Sequence, residues 1–151
     1  MAEFTYIPSQ TVPYRQAAAL NSTRFGCNKG YILHREGSGL VTMRGIVNNP
    51  CSNFARYEAK FSGNIALSEG ATVGEIALAL TLDGEILQET VAVATPAAVG
   101  DRWHVSGVAT IDVPRGCCPN VSVENVSPQT GTTPNPSIDI TNLNVIVNRI
   151  G

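Results

Sequence analysis

Four cysteines, two histidines, one tryptophan and a few acidic turn residues carry most of the reactive chemistry in this sequence. Cys117 and Cys118 are adjacent, and neighbouring residues on a strand point to opposite faces, so their thiols do not converge on one metal ion. One of the pair is expected to pack as a small hydrophobe and the other to sit at a turn or interface. A disulfide to Cys27 or Cys51 is the alternative, with three connectivities open among four cysteines. His34 and His104 each stand alone among apolar neighbours in strand-like segments. They read as rim residues and not as a general base or a ligand, because neither has a nearby histidine or paired carboxylate. Asp83-Gly84-Glu85 and Asp139 lack the Asp-x-Asp-x-Asp series of a calcium loop, so turn residues are the better account. No HExxH, GxSxG, GxxxxGK[ST] or GxGxxG string occurs. The expectation is a chain that is not an enzyme and uses no cofactor and no metal. Asn21-Ser22-Thr23, Asn120-Val121-Ser122 and Asn125-Val126-Ser127 match glycosylation acceptors but read as incidental in a chain so rich in Asn, Ser and Thr. Trp103 is expected to anchor the core.

Charge narrows the partners. Charged residues make up 15% of the 151, with a formal net charge of -2, well below the roughly 25% of an average soluble chain. That rules out the dense basic footprint of a nucleic-acid or anionic-membrane binder. Thirteen Thr, 12 Asn and 10 Ser solvate the surface instead. No apolar run approaches the roughly 20 residues of a membrane span. The start, Met1-Ala2-Glu3-Phe4-Thr5-Tyr6, shows no secretory signal, which favours free thiols over a disulfide framework.

The elements that must position these groups are strands. Fifteen Val and 11 Ile against 9 Leu favour β-structure. From Ala55 the odd positions Ala55, Tyr57, Ala59 and Phe61 are apolar while Arg56, Glu58, Lys60 and Ser62 are polar, the period-two pattern of a half-buried strand. Ile76, Leu78, Leu80 and Leu82 alternate with Ala77, Ala79 and Thr81, which outweighs the helix signal of Thr72-Val73-Gly74-Glu75. Asp83-Gly84 predicts a tight turn into a strand over 86–94, and Gly37-Ser38-Gly39 predicts a hairpin between 31–36 and 40–47. Strands are also predicted over 103–114, 121–126 and 138–150. The Ala-rich segment Gln16 to Leu20 follows Pro13 and reads as strand or irregular. About 8–10 short strands with no interleaved helices predict an all-β antiparallel jelly-roll sandwich. It forms a single domain over 1–151, with 1–29 as N-terminal strand and lead-in and 127–137 as an exposed loop.

The order of segments carries a resemblance. Gly30-Tyr31-Ile32-Leu33-His34-Arg35-Glu36-Gly37-Ser38-Gly39-Leu40-Val41-Thr42-Met43-Arg44-Gly45 opens it, and Phe61 to Gly70 and Ala77 to Glu85 follow. Thr95-Pro96-Ala97-Ala98-Val99-Gly100, Val113-Pro114-Arg115-Gly116-Cys117-Cys118 and Val121 through Val147 complete it. From about Gly30 onward the chain resembles small jelly-roll proteins of tailed phages and prophages of gut Firmicutes. These share the broad architecture of the tumour-necrosis-factor and complement globular heads. The resemblance implies a virion structural component made in the bacterial host cytoplasm, a homotrimer bound to the major capsid protein or another virion protein. Because Met1 leads almost directly into strand-like sequence, a compact decoration knob is favoured over a head-fibre tip.

One of three stretches, Ala17 to Leu20, Ala55/Tyr57/Ala59 or Val145/Val147, is expected to line the subunit contact, since small side chains let sheets approach closely. The rival function is a carbohydrate- or receptor-binding jelly roll recognising a surface glycan. Tyr6, Tyr14, Tyr31 and Trp103 are its stacking candidates.

Overall fold

In the computed structural model, residues 1–25, 30–129 and 134–150 are described. Cys27 and the 130–133 stretch of the expected loop lie outside them. The chain is an all-β sandwich of two antiparallel sheets. Twelve strands occur among the described residues: β1 (Ala2–Tyr6), β2 (Gln10–Val12), β3 (Ser22–Phe25), β4 (Ile32–His34), β5 (Val41–Met43), β6 (Phe54–Leu67), β7 (Ile76–Leu82), β8 (Glu85–Ile86), β9 (Ala92–Ala94), β10 (Trp103–Pro114), β11 (Asn120–Asn125) and β12 (Ile138–Arg149). The first sheet runs β10-β6-β12-β1-β3, with β2 also on β12. The second runs β4-β5-β11-β7-β8, with β9 also on β7.

The alternation from Ala55 is the spine of the first sheet. It continues to Leu67, and the odd positions Ala55, Tyr57, Ala59, Phe61 and Ile65 are all buried. They meet Met43, Leu78, Leu80 and Val123 of the second sheet in one core cluster. Apolar burial at about 25 cal/mol per Å² drives this closure. The buried Tyr57 hydroxyl donates to the Arg44 carbonyl at 2.6 Å, which removes its desolvation cost.

Both predicted hairpins form. Leu82 pairs with Glu85 across Asp83 (φ 50) and Gly84 (φ 84), the paired left-handed conformations of a two-residue turn. The 31–47 hairpin pairs only Ile32–His34 with Val41–Met43, so its connection is longer than three residues. The predicted strand over 86–94 is broken by a 3-10 turn, Gln88–Thr90. Thr90 explains the break: its buried hydroxyl accepts from the Leu80 amide at 2.9 Å and donates to the Leu87 carbonyl at 2.7 Å, replacing a ladder bond of β7.

The N-terminal lead-in holds three strands. β1 pairs with β12 over five residues and β2 takes the next stretch of β12, the exchange marked by a register shift after Thr141 and by Asn142 at φ 54. The Ala-rich segment is irregular and lies along β11, with the Ala18 amide donating to the Val123 carbonyl. The expected exposed loop opens on a buried residue, Ser127, because its hydroxyl and amide both donate to Asn125 Oδ1.

Gly107 is required by close approach. A Cβ there would lie 2.7 Å from Phe61 Cε1 and 2.8 Å from the Thr90 carbonyl, so only glycine lets the 3-10 turn close against β10. Gly107→Ala is expected to cost roughly 1–3 kcal/mol as overpacking, read as a lower urea midpoint with an unchanged slope. Exposed Ser106→Ala on the same strand is the control, and equal midpoints for the two variants would refute the steric reading.

Candidate functional site

Because odd residues of β6 point inward, its even residues form the outer face of the first sheet together with matched positions of β10, β12 and β1. The register aligns two rows across four strands: Val108, Lys60, Ile146 and Glu3, then Ser106, Ser62, Asn144 and Thr5. Val108 is 53% exposed. Three ion pairs form within the chain on this face: Arg56 with Asp112 at 2.7 Å, Lys60 with Glu58 at 3.0 Å and Arg24 with Glu3 at 3.7 Å. The hydrogen bond from the Arg56 guanidinium holds the Asp112 carboxyl below the usual carboxylate range. A concavity of about 440 Å³ opens here over Ser62, Val108, Asn144 and Ile146, with the charged Lys60 and Glu89 also in its lining. Asn144 Oδ1 is buried with no hydrogen-bond partner among the described residues. A buried acceptor of that kind costs about 1–3 kcal/mol until a donor reaches it.

The second sheet treats its outer face differently. Thr81, Ser122 and Glu124 point away from the core yet are buried. The Thr81 hydroxyl donates to Glu124 Oε2 at 2.6 Å and lies 2.7 Å from the Ser122 hydroxyl. Arg15, at φ 63, reaches Glu124 at 3.9 Å and donates to the Gly84 carbonyl at 2.7 Å. This cluster is saturated internally and has structural work only.

Of the three stretches expected at the subunit contact, only Ala17 is exposed, and Ala19 is half-buried. Ala18, Leu20, Ala55, Tyr57, Ala59, Val145 and Val147 are all buried in the core between the sheets. An apolar strand face is consumed first by the partner sheet, so any contact on these strands must use the intervening residues.

The cysteine expectation also changes. Cys51, Cys117 and Cys118 are free and exposed, with neither of the adjacent pair packed as a hydrophobe. Their loops meet at one end of the sandwich. Arg115 donates to the carbonyls of Val47, Asn49 and Ser52, and the Gly45 amide donates to the Cys117 carbonyl. These bonds commit both backbones to loop closure and leave the side chains outside. Among the described residues no group of three or more His, Cys, Asp or Glu could hold a metal ion.

His34 is half-buried, stacked on Phe4 at 4.5 Å with Nε2 against the Ser38 carbonyl at 2.9 Å. His104 is exposed and lies 3.2 Å from Asn64 Oδ1. Trp103, expected as a core anchor, is 50% exposed because it opens β10 at the rim of the sandwich, opposite Ile65. The other aromatic candidates are dispersed. Tyr31 lies beneath the Arg149 guanidinium at 4.3 Å, Tyr6 is half-buried at the end of β1, and Tyr14 is exposed beside Arg15. Asp83 is a turn residue that accepts from the Asn120 amide at 2.8 Å, and Asp139 accepts from Thr11 and Ser68. Asn125 is buried, its amide donating to the Val12 and Pro136 carbonyls, which leaves no acceptor for a glycan.

No protein-family model matches the chain, and no curated protein matches its sequence. Among solved structures, the globular domain of zebrafish complement 1qA protein superposes with a TM-score of 0.57 at 13% identity, covering 95% of this chain and 92% of that one. The two share the jelly-roll fold. The C-terminal domain of EclA, a sugar-binding protein, matches at a TM-score of 0.38 and 15% identity, covering 80% of this chain and 87% of that one. That likeness is too loose to carry an argument.

Native-state alkylation followed by peptide mapping is expected to label Cys51, Cys117 and Cys118 without denaturant. Protection of any of the three would contradict their exposure.

Proposed function

We propose that this chain is a non-enzymatic structural module that assembles as a homotrimer through the outer face of its β10-β6-β12-β1 sheet, on the surface of a virion. The observation that carries the reading is the pair of rows around Asn144. They combine exposed Val108, half-buried Ile146 and neutral hydroxyls and amides with three internal ion pairs, and the Glu89 carboxylate stands at the margin of the concavity. Depletion of unpaired charge marks surfaces that can be desolvated against a protein. A three-fold contact is heterologous and closes after three copies. The number three and the virion setting rest on the resemblance of segments to tailed-phage structural proteins.

A second reading, recognition of a surface glycan, is favoured by Trp103, a half-exposed ring at the first residue of β10. An exposed indole is a stacking platform for a sugar ring. The dispersal of Tyr6, Tyr14 and Tyr31 leaves that platform a single residue wide.

Light scattering at micromolar concentration is expected to give a mass that is a multiple of three 15.9 kDa chains. Ile146→Asp, which puts an unpaired carboxylate on the contact, is expected to abolish the three-fold step. A wild-type mass that includes no multiple of three would overturn the trimer. The two functions part on a further pair of measurements. The structural reading expects loss of density from the particle surface when this chain is deleted. The glycan reading expects array hits that disappear in Trp103→Ala.

A further inference from the structure

The four sheet edges are unequally guarded. β3 has four residues and a register shift against β1, β2, β4 and β9 have three residues each, and β8 has two. Short or bulged edges resist pairing with another chain. β10 has neither protection. It runs 12 residues in unbroken register with β6, contains no Lys, and keeps its one Pro at the end. Among the described residues its backbone bonds to no strand but β6, and the Pro114 carbonyl accepts from the Cys117 amide. The 3-10 turn touches it at Gly107 without taking a backbone bond. The strand therefore presents a long row of amides and carbonyls with no backbone partner among the described residues.

We infer that the occupant of this edge is the β10 edge of a second copy, paired antiparallel about a two-fold axis at Val108. The residues themselves select that partner. Centred on Val108, the pairing sets His104 against Asp112 of the second copy, Val105 against Ile111, Ser106 against Thr110, Gly107 against Ala109 and Val108 against itself. Imidazole meets carboxylate, branched meets branched, hydroxyl meets hydroxyl and small meets small. Moving the axis to Gly107 sets His104 against Thr110 and Ser106 against Val108, and moving it to Ala109 sets Ser106 against Asp112. Only the Val108 centre matches every pair. The side-chain faces agree too: His104, Ser106, Val108, Thr110 and Asp112 are all exposed on one face, so the sheet continues through both copies with its outer face on one side. Two-fold contacts are self-complementary by symmetry, which this strand satisfies and a heterologous contact would not require. The edge contact uses the backbone rim of β10 and the three-fold contact its outer face, with Val108 and Ser106 bordering both; formed together, they would join trimers in pairs.

Sedimentation of the full chain tests this in the Ile146→Asp background, where the three-fold contact is removed. That variant is expected to form a concentration-dependent dimer. Adding Val108→Lys sets like charges against each other at the axis and is expected to leave a monomer with an unchanged circular dichroism spectrum. His104→Lys is expected to tighten the dimer and His104→Asp to weaken it, each by about two- to threefold, because the Asp112 carboxylate of the second copy is already half-neutralised by its own Arg56. A monomer at every concentration, a dimer indifferent to Val108→Lys, or a shift of the same sign for both His104 variants would overturn the pairing. Should the trimer itself be wrong, wild-type protein still shows the dimer, so the two failures are distinguishable.

Discussion

Everything in this molecule hangs on β6 being hydrogen-bonded along both edges. Its 14 residues pair with β10 on one side and with β12 on the other. A one-residue slip against either neighbour would turn Tyr57, Phe61 and Ile65 out to water and bring Arg56, Glu58 and Lys60 into the core. The loss of several fully buried side chains at about 1.5–3 kcal/mol each makes such a slip prohibitive. Register is thereby imposed on three strands at once, and with it the identity of every residue on the outer face. Val108, Lys60, Ile146 and Glu3 form a row because Ala55 to Phe61 must face inward, with no separate signal of their own.

The second sheet meets a harsher demand. β7 and β11 bury both their faces. One face is solved by Leu78, Leu80 and Val123 in the core. The other cannot be apolar throughout, since Glu124 lies on it. Its carboxylate is kept by Thr81 and by Arg15, whose backbone takes a left-handed conformation to deliver the guanidinium. Arg15 is exposed and caps the cluster from the solvent side, so the Thr81 hydroxyl is the buried contact of Glu124. The irregular 13–20 segment is held by its backbone bonds to β11, and it completes the edge of β11 that β5 leaves after Val121.

What could be read from residues alone follows the range of the signal. The strand from Ala55, the strand from Ile76 and the Asp83-Gly84 turn are encoded within a few positions, and each forms as the alternation or turn chemistry dictates. The misreadings involve partners distant in sequence. Thr90 breaks its strand because Leu80 needs its hydroxyl. β1 and β2 exist because β12, more than 120 residues later, has edges to fill. The subunit-contact residues were misplaced for a related reason: alternation separates two faces of a strand but is silent on whether an apolar face meets a partner sheet or a partner molecule. With two sheets in one chain, the partner sheet takes the apolar face. The site was then readable only in negative, as the polar half of the Ala55 pattern. Trp103 escaped because position along a strand, at its very first residue, outweighs hydrophobicity in setting burial.

The contrast between the sheets gives the low charge of the chain its meaning. The outer polar groups of the second sheet find partners within the chain, through Thr81, Ser122, Glu124 and Arg15. On the first sheet three ion pairs form within the chain, yet the outer backbone row of β10 has no partner strand among the described residues. Unpaired charges would make covering this sheet expensive, at several kcal/mol for each ion stripped of water. Paired charges and neutral hydroxyls lower that barrier, while unpaired backbone groups reward whatever supplies their hydrogen bonds. A surface inexpensive to dehydrate and short of hydrogen-bond partners is one whose free energy falls on meeting another protein. The symmetry of residues 104–112 makes a second copy of the same chain the partner that fits it best.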